Sequence, residues 1–444
     1  MRNLFIAVEL IDKQVRAILA ERINGKIKVH GVENEELSVS AVDDNGVLIN
    51  HSIFSSALSS IVKKMENRAV TLFDNNQVKK KKIFLALSCF PCTTFEETHT
   101  FSLNINQTIN EELIDALLNS IPPIEIPNKV VKRIEDISYT IDGVEYFDVQ
   151  NRKGTTLDVK SLMLSYPKDM DVNLDKTMER CSFDVESHFS PIVESRVYQY
   201  PLIDDNANAF VAIHNSKSYV VVYNKSKLIH CSVIPFGWND VFNDLKYFML
   251  NDDKVKQSEN SSIINQISCN SLISNVLKAQ KHEILKVGRE FSFEVQKLYD
   301  VIFARINEIL SFVNNELEQV KSNIDKDITI GIVSNIFQDD ICDYSTNFFG
   351  TSCYSLQINK SLLESIDNFS DNMATLIGWS MEVDKSSFEV IEKEKEDKTK
   401  EEEEPFESAK KETKKKSGFL GSLKGKISNI EQTLFTGNND ENND

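Results

Sequence analysis

Between residues 208 and 236 the chain alternates apolar runs with short polar breaks: NAFVAIHNSKSYVVVYNKSKLIHCSVIPF. Residues 210–213 are apolar, 218–223 are β-branched and aromatic, and 228–234 alternate Ile229, Cys231 and Val233 with His230 and Ser232. Runs of this kind predict three successive strands. Turn-forming residues at 214–217 and 224–227 predict their connections. Pro235-Phe236-Gly237 stops the third strand, and Val241, Phe242, Leu245, Phe248 and Met249 share one face of a predicted helix. The start of the chain follows the same plan, with apolar runs at 5–8 and 15–19, Asn24-Gly25, and 27–29. FIAVELIDKQVRAILAE, from Phe5, superimposes on FVAIHNSKSYVVVYNK, from Phe210, as strand–turn–strand. A period of about 200 residues is too long for a solenoid and predicts a duplicated domain.

Further elements follow from the same periodicities. Ile53, Phe54, Ala57, Leu58, Ile61, Val62 and Met65 predict a helix over 52–64 packed on a sheet. Lysines 79–82 precede an apolar strand at 83–87 and read as charges that guard it against aggregation. A helix is predicted at 110–120, closed by Pro122-Pro123, and strands at 137–141 and 157–164. A helix leading into a strand is predicted over 178–193. Residues 251–290 are polar and helix-forming. Leu298, Ile302, Ile306, Ile309, Val313, Leu317 and Val320 hold one face of a long helix over 293–320. A buried strand is predicted at 327–333.

Composition narrows the function. The chain has 444 residues, room for several domains, and a net charge of −18, which argues against a nucleic-acid partner. Its 14 glycines are about half the usual share of ~7%, which leaves little material for glycine-rich phosphate loops. Glu9 and Asp12 interrupt the early apolar run, so no signal peptide is predicted, nor is any spanning helix. Seven cysteines without an export signal point to reduced thiols in a cytoplasm. Cys89-Phe90-Pro91-Cys92 is a CxxC with no second ligand pair, and it ends a strand, so it reads as neither a zinc site nor a redox motif.

Residues 211–223, followed by Val233-Ile234-Pro235-Phe236-Gly237, resemble the second-half phosphate hairpin of the FtsA family, written there approximately as VDIGGGTTDVAIY and ending in IPFGG. FtsA proteins are actin-like bacterial division proteins that tie FtsZ to the membrane. The resemblance extends over most of the chain. Ile137 to Gly143 (IxYTIDG) and the turn at Gly154 into Leu157-Asp158-Val159 are similar to the extra subdomain of that family, which there contacts neighbouring subunits and division partners. Thr375-Leu376-Ile377-Gly378-Trp379 resembles the family's last core helix. The resemblance implies an α/β fold, a duplicated ribonuclease H-like actin fold. In this reading 1–82 open the first half, 83–163 are the inserted subdomain, and 164–206 return to the first half. Residues 207–237 open the second half, 238–290 are its small subdomain, and 291–368 complete it. Residues 369–384 are the final helix of the first half.

Actin-like ATP sites hold phosphates between two hairpin turns whose small residues let backbone N–H groups approach, while an acidic residue in each half positions Mg²⁺ and water. Carried onto this chain, the first acidic position is Glu9, the turn glycine falls on Ile11, and Asp12 and Lys13 stand where Ser or Thr is usual. In the second half the aspartate position is Ala212. The glycines fall on His214, Asn215 and Ser216, and Lys217 and Ser218 replace two threonines. The adenosine-side double glycine, after Gly331 and Ser334, has become Asn335 and Ile336. All three motifs are altered. ATP with Mg²⁺ is the cofactor the family implies, and these ten positions (Glu9, Asp12, Lys13, Asn215, Ser216, Lys217, Ser218, Gly331, Ser334 and Asn335) are where it would bind. The side chains at Ile11 and His214 predict instead a fold held shut by packing, with no catalytic residue.

From Lys385 the composition changes. Residues 385–416 contain 11 acidic and 10 basic side chains and almost no apolar ones, the signature of a disordered linker. Phe419, Leu420, Leu423, Ile427, Ile430 and Leu434 then recur every three or four residues, with Phe435 beside them. Lys415, Lys416, Lys424 and Lys426 add positive charge at the start. An amphipathic helix over 417–436, followed by a polar tail at 437–444, reads as an interfacial membrane anchor. Full burial gives roughly 1.5–3 kcal/mol per large apolar side chain, against about 1–2 kcal/mol per residue to order the helix. One copy therefore binds weakly, and stable attachment needs several acting together.

The resemblance thus implies a cytoplasmic protein on the inner face of the membrane at the division septum. It would self-associate into filaments, contact inner-membrane lipids and other division proteins, and receive FtsZ on the small subdomain. Two alternatives share the fold: an ATP-binding or ATP-hydrolysing switch, and a pilus-assembly scaffold of the PilM type, which lacks the terminal amphipathic segment.

Overall fold

A computed structural model describes residues 3–391, except 12, 44–46, 74–76, 81, 88–90, 105–106, 147, 182, 200–205, 225–226, 259–261, 290, 325, 365–372 and 383–386. Asp12, Cys89 and the segment 417–436 lie outside the described residues.

The first meander comprises β1 (Leu4–Ile11), β2 (Gln14–Ile23) and β3 (Lys26–Glu36). Asn24 and Gly25 join β2 to β3 with φ of 50° and 79°. That left-handed pair is the backbone a two-residue hairpin needs, and Asn-Gly adopts it at low cost. Helix α1 (His51–Leu72) buries six of the seven predicted stripe residues, with Ile53 half-buried, and runs two turns beyond the predicted end. Then come β4 (Gln77–Lys80), β5 (Lys82–Leu87), β6 (Thr93–Ser102), α2 (Glu111–Asn119), β7 (Lys129–Ile141), β8 (Val144–Tyr146) and β9 (Thr156–Pro167). Asn110 caps α2 by accepting from the Leu113 N–H at 2.9 Å. Next are α3 (Lys168–Met178), β10 (Asp184–Phe189), α4 (Ser190–Ser195) and β11 (Tyr198–Gln199).

The second meander is β12 (Ala207–Ile213), β13 (Ser218–Asn224) and β14 (Lys227–Ile234), followed by α5 (Trp238–Leu250). The small subdomain holds α6 (Asp253–Lys256), α7 (Ser262–Asn265), α8 (Cys269–Lys278) and a hairpin of β15 (Ile284–Val287) and β16 (Phe291–Glu294). Helix α9 (Val295–Lys321) buries all seven predicted residues. The chain closes with β17 (Ile328–Ser334), α10 (Gln338–Phe349), β18 (Cys353–Ser355), β19 (Gln357–Ile358), α11 (Ala374–Glu382) and β20 (Phe388–Ile391).

Sheet order displays the duplication. The first half runs β3-β2-β1-β5-β10, with the meander antiparallel and β1, β5 and β10 parallel. The second half runs β14-β13-β12-β17-β18 with the same directions. Strand β14 continues into β6-β9-β7-β8, so nine strands form one sheet shared by the second half and the insert. Among the described residues one pair, Ser232 with Thr93, forms that junction. The Cys231 N–H reinforces it by donating to Thr94 Oγ1 at 2.7 Å, and the Val233 N–H by donating to the Cys92 carbonyl at 3.0 Å.

Four expectations need correction. Residues 83–87 belong to the first half's sheet, between β1 and β10, so the insert starts later, at β6. The helix placed over 178–193 ends at Met178; beyond it Val185 and Phe189, at even spacing, form a parallel strand beside β5. Residues 388–391, at the start of the expected linker, are strand β20, antiparallel to β4 at 77–80. The hairpin of the small subdomain runs to Glu294, past its expected boundary at 290. One hydrophobic cluster fills the first half and continues into the second through Phe210, Tyr219 and Val221, a second fills the rest of the second half, and a smaller one around Ile109, Ile114, Leu157 and Val159 fills the insert.

Candidate functional site

Helices α4 and α11 pack closely on each other, α11 against β1 and β2 and α4 against β13. A Cβ at Gly378 would sit 1.9 Å from the Val193 carbonyl oxygen, so only glycine permits this approach. Tyr223 of β13 ties α4 to the second half through Ser195 Oγ at 2.8 Å.

A charged cluster occupies this junction. Glu9, 2% exposed on β1, lies cross-strand from Arg16 and pairs with it at 3.1 Å. His214 opens the second turn, and its Nε2 meets the carboxylate of Glu194 on α4 at 3.0 Å. Glu194 is 2% exposed and also accepts from Thr375 Oγ1 of α11 at 3.3 Å. Burial disfavours the charged His214 ring, but the Glu194 carboxylate, by charge and by hydrogen bond, outweighs it. With a smaller contribution from Glu9, and against the Arg16 cation, the ring's pKa rises above its ordinary value. One cluster thus joins β1, β2, α4, α11 and the β12–β13 turn.

The second turn's backbone is also committed. The His214 N–H donates to the Lys217 carbonyl at 2.9 Å. The His214 and Asn215 carbonyls accept from the Trp238 and Asn239 N–H groups, at 3.0 and 2.7 Å, at the start of α5. A Cβ at Gly237 would lie 2.4 Å from the His214 carbonyl oxygen, so the turn and α5 touch backbone to backbone. On the adenosine side, Ser334 Oγ accepts from Trp238 Nε1 at 3.0 Å and donates to the Ile336 carbonyl at 2.7 Å. Gln338 accepts from the Ser334 N–H and donates to Ser355 Oγ at 3.1 Å. Phe337 adopts a left-handed φ of 50° to start α10.

The sequence-predicted residues divide accordingly. Ser334 and Asn335 follow the end of β17, whose Ser334 pairs with Ile213, so they lie beside the second turn. Asn215 is exposed, Ser216 half-buried, Lys217 buried, and Ser218 buried with its hydroxyl donating to the Phe236 carbonyl at 2.8 Å. Glu9 joins them through the His214 cluster. Lys13 is exposed, and its carbonyl accepts from the Leu37 N–H at 2.6 Å. Gly331 serves packing: a Cβ there would meet the Leu356 side chain at 2.5 Å. Glu194, Arg16, Gln338 and Trp238 carry no motif, Thr375 was singled out only as part of the last core helix, and none of the five was among the predicted site residues. The faint signal for Glu194 was a carboxylate next to the apolar run Ile192-Val193. This donor set does not fit Mg²⁺ and ATP. The Glu9 acid is paired with Arg16, Ala212 offers no ligand, and a side chain bonded to Glu194 stands at the phosphate-turn position.

No family model matches the chain. Among curated proteins it is similar to cell division protein FtsA of Escherichia coli K12, with 24% identity over 338 residues, 73% of this chain and 74% of that protein. FtsA of Buchnera aphidicola from Schizaphis graminum is 22% identical over 350 residues, 75% of this chain and 78% of that protein. FtsA of Streptococcus pneumoniae is 17% identical over 322 residues, 71% and 67%. A solved PilM–PilN type IV pilus biogenesis complex contains a chain with TM-score 0.52 and 11% identity, covering 85% of this chain and 98% of that one. This is a divergent FtsA-like protein of the actin fold. Against that background the FtsA-like chain keeps the frame of both hairpins while its own side chains fill the ground between them. No described helix is long and apolar enough to cross a membrane.

Proposed function

We propose that this FtsA-like protein is an actin-fold adaptor of cell division that assembles on the cytoplasmic face of the inner membrane and tethers FtsZ there at the septum. The observation that carries the reading is similarity to proteins named FtsA over about three quarters of the chain, combined with the amphipathic, lysine-flanked pattern of 417–436. Assembly multiplies a weak anchor. Helices α5 and α9, which flank the small subdomain in the chain, leave a place for a peptide-like partner. Between α5 and α9 a cavity of about 610 Å³ is lined by Asp244, Tyr247, Phe248 and Val301, and Tyr247 is 73% exposed. The nucleotide-binding alternative requires rebuilding the Glu194–His214 junction, and labelled ATP with Mg²⁺ at millimolar concentration should leave the protein unbound.

Co-sedimentation of FtsZ with anionic liposomes tests the reading, comparing the full chain with one ended at Lys416. FtsZ pelleting only with the full chain is the expected result. Full chain in the pellet and FtsZ in solution overturns the partner and moves weight to a scaffold of the PilM type. Neither chain in the pellet overturns the anchor.

A further inference from the structure

A groove of about 430 Å³ opens between the end of β3 and the first turns of α1. Leu37, Ile53, Ser56 and Ala57 line it, and Glu35 and Glu36 stand at its rim. Its lining contains no basic side chain, although Lys64 reaches Glu35 from the side at 3.5 Å. The connection from β3 to α1 adds two apolar side chains directed to solvent, Val39 at 46% and Ile49 at 50% exposure. These are two of only eight large apolar residues so exposed among those described. Buried Leu37 and Ala57 and half-buried Ile53 offer an apolar strip to an incoming helix, and the acidic rim suits a basic one.

The chain itself supplies a segment with those properties. Residues 414–426 carry five lysines and no acid, and Phe419, Leu420, Leu423 and Ile427 form one apolar series. The last described element, β20, is paired with β4, which packs against α1. From there to the groove is about one helix length: the 22 residues of α1 span roughly 33 Å. Taken as the linker their composition predicts, the 25 residues from 392 to 416 would have a root-mean-square span of roughly 25–30 Å. Reach and distance match, which maximises effective concentration.

We propose that the segment 417–435 docks in this groove of its own chain when no membrane is present, so that the groove and the lipid surface compete for one apolar face. The proposal rests on the anchor reading only for the competing partner. At an effective concentration near ~1 mM, a contact with an intrinsic Kd of ~0.1 mM is about ten to one docked. Docking then weakens apparent vesicle affinity about tenfold. Membrane attachment is thereby restrained until several copies meet a surface together.

The test uses the full chain with the photo-crosslinking residue p-benzoylphenylalanine in place of Leu423, irradiated with and without vesicles of phosphatidylethanolamine and phosphatidylglycerol. Expected without vesicles is a crosslink within one chain to peptides covering 35–57, lost when vesicles are added. The double variant Glu35→Lys/Glu36→Lys, and separately Ile53→Asp, should lose that crosslink and bind vesicles about tenfold more tightly, with unchanged circular dichroism. Crosslinks mapping elsewhere on the body, or crosslinked dimers that mark a second copy as the occupant, overturn the proposal, as does unaltered vesicle affinity in both variants. A crosslink to 35–57 with no vesicle binding by any form upholds the docking and overturns the anchor.

Discussion

Replacing Glu194 by glutamine removes one charge at the centre of the junction while keeping its shape. In the parent, the Glu194 carboxylate takes the His214 N–H at 3.0 Å and the Thr375 hydroxyl at 3.3 Å while 2% exposed. A hydrogen bond to a charged group contributes about 1.5–3 kcal/mol. Glutamine retains a neutral version, and His214 can shed its proton, so the expected loss at pH 6 is about 2 kcal/mol. The dependence on pH is the sharper part. The His214 pKa is raised in the folded protein, chiefly by Glu194 against the cost of burial. Its contribution is therefore complete below the ordinary imidazole value of about 6.5 and fades as pH climbs through the raised one. Urea unfolding of the parent and Glu194→Gln at pH 6 and pH 9 should show a gap that narrows at the higher pH. His214→Gln should remove the pH dependence, and the double variant should lose less than the sum of the singles. Equal destabilisation at both values, or additive singles, would refute the assignment of His214 and Glu194 as a coupled charged pair.

Gly378→Ala forces a Cβ to within 1.9 Å of the Val193 carbonyl oxygen, backbone that cannot rotate away, and should cost about 3 kcal/mol or leave the protein insoluble on expression. Ser387 is fully buried and its hydroxyl oxygen accepts the Ile6 N–H at 3.0 Å; Ser387→Ala strands that donor and should lower the urea midpoint by an amount equal to about 1–3 kcal/mol. Burial pushes the Lys132 amine down to about 8, with Asp171 and Asp175 opposing. The unfolded chain therefore holds that proton longer, and between about pH 8 and 10.5 the parent should gain stability with rising pH relative to Lys132→Met, as read by urea unfolding.

Much of this architecture was written in short-range pattern. Meanders of short apolar runs, buried on both faces in β1, β12 and β13, the stripe of α1 and the seven-residue face of α9 are local signals, and each became the element expected. The β4–β20 pair joins residues about 310 positions apart, through a lysine-rich strand of four residues and a strand embedded in charge. β4 has one apolar residue, Val78, and the three of β20 are hidden by the charged composition of 385–416 around them. Residues 83–87 were an obvious strand, but which sheet held it was decided by parallel pairing with β10, a long-range choice. At the junction, motif comparison showed what had been lost from the turns. It could not show what replaced it, because Glu194 and Arg16 gain their roles from partners that only the tertiary fold brings near.

The junction of β14 with β6 has a mechanical meaning. The insert leaves the chain from the first half yet its sheet is hydrogen-bonded to the second, through Thr93, Thr94 and Cys92. It acts as a strut between the halves, beside the tie that Ser195 of α4 makes to Tyr223. Shear between them would have to break the β14–β6 pairing and the buried Glu194–His214 ion pair together. A body braced this way passes load from the insert directly to the second half's sheet instead of absorbing it where the two join.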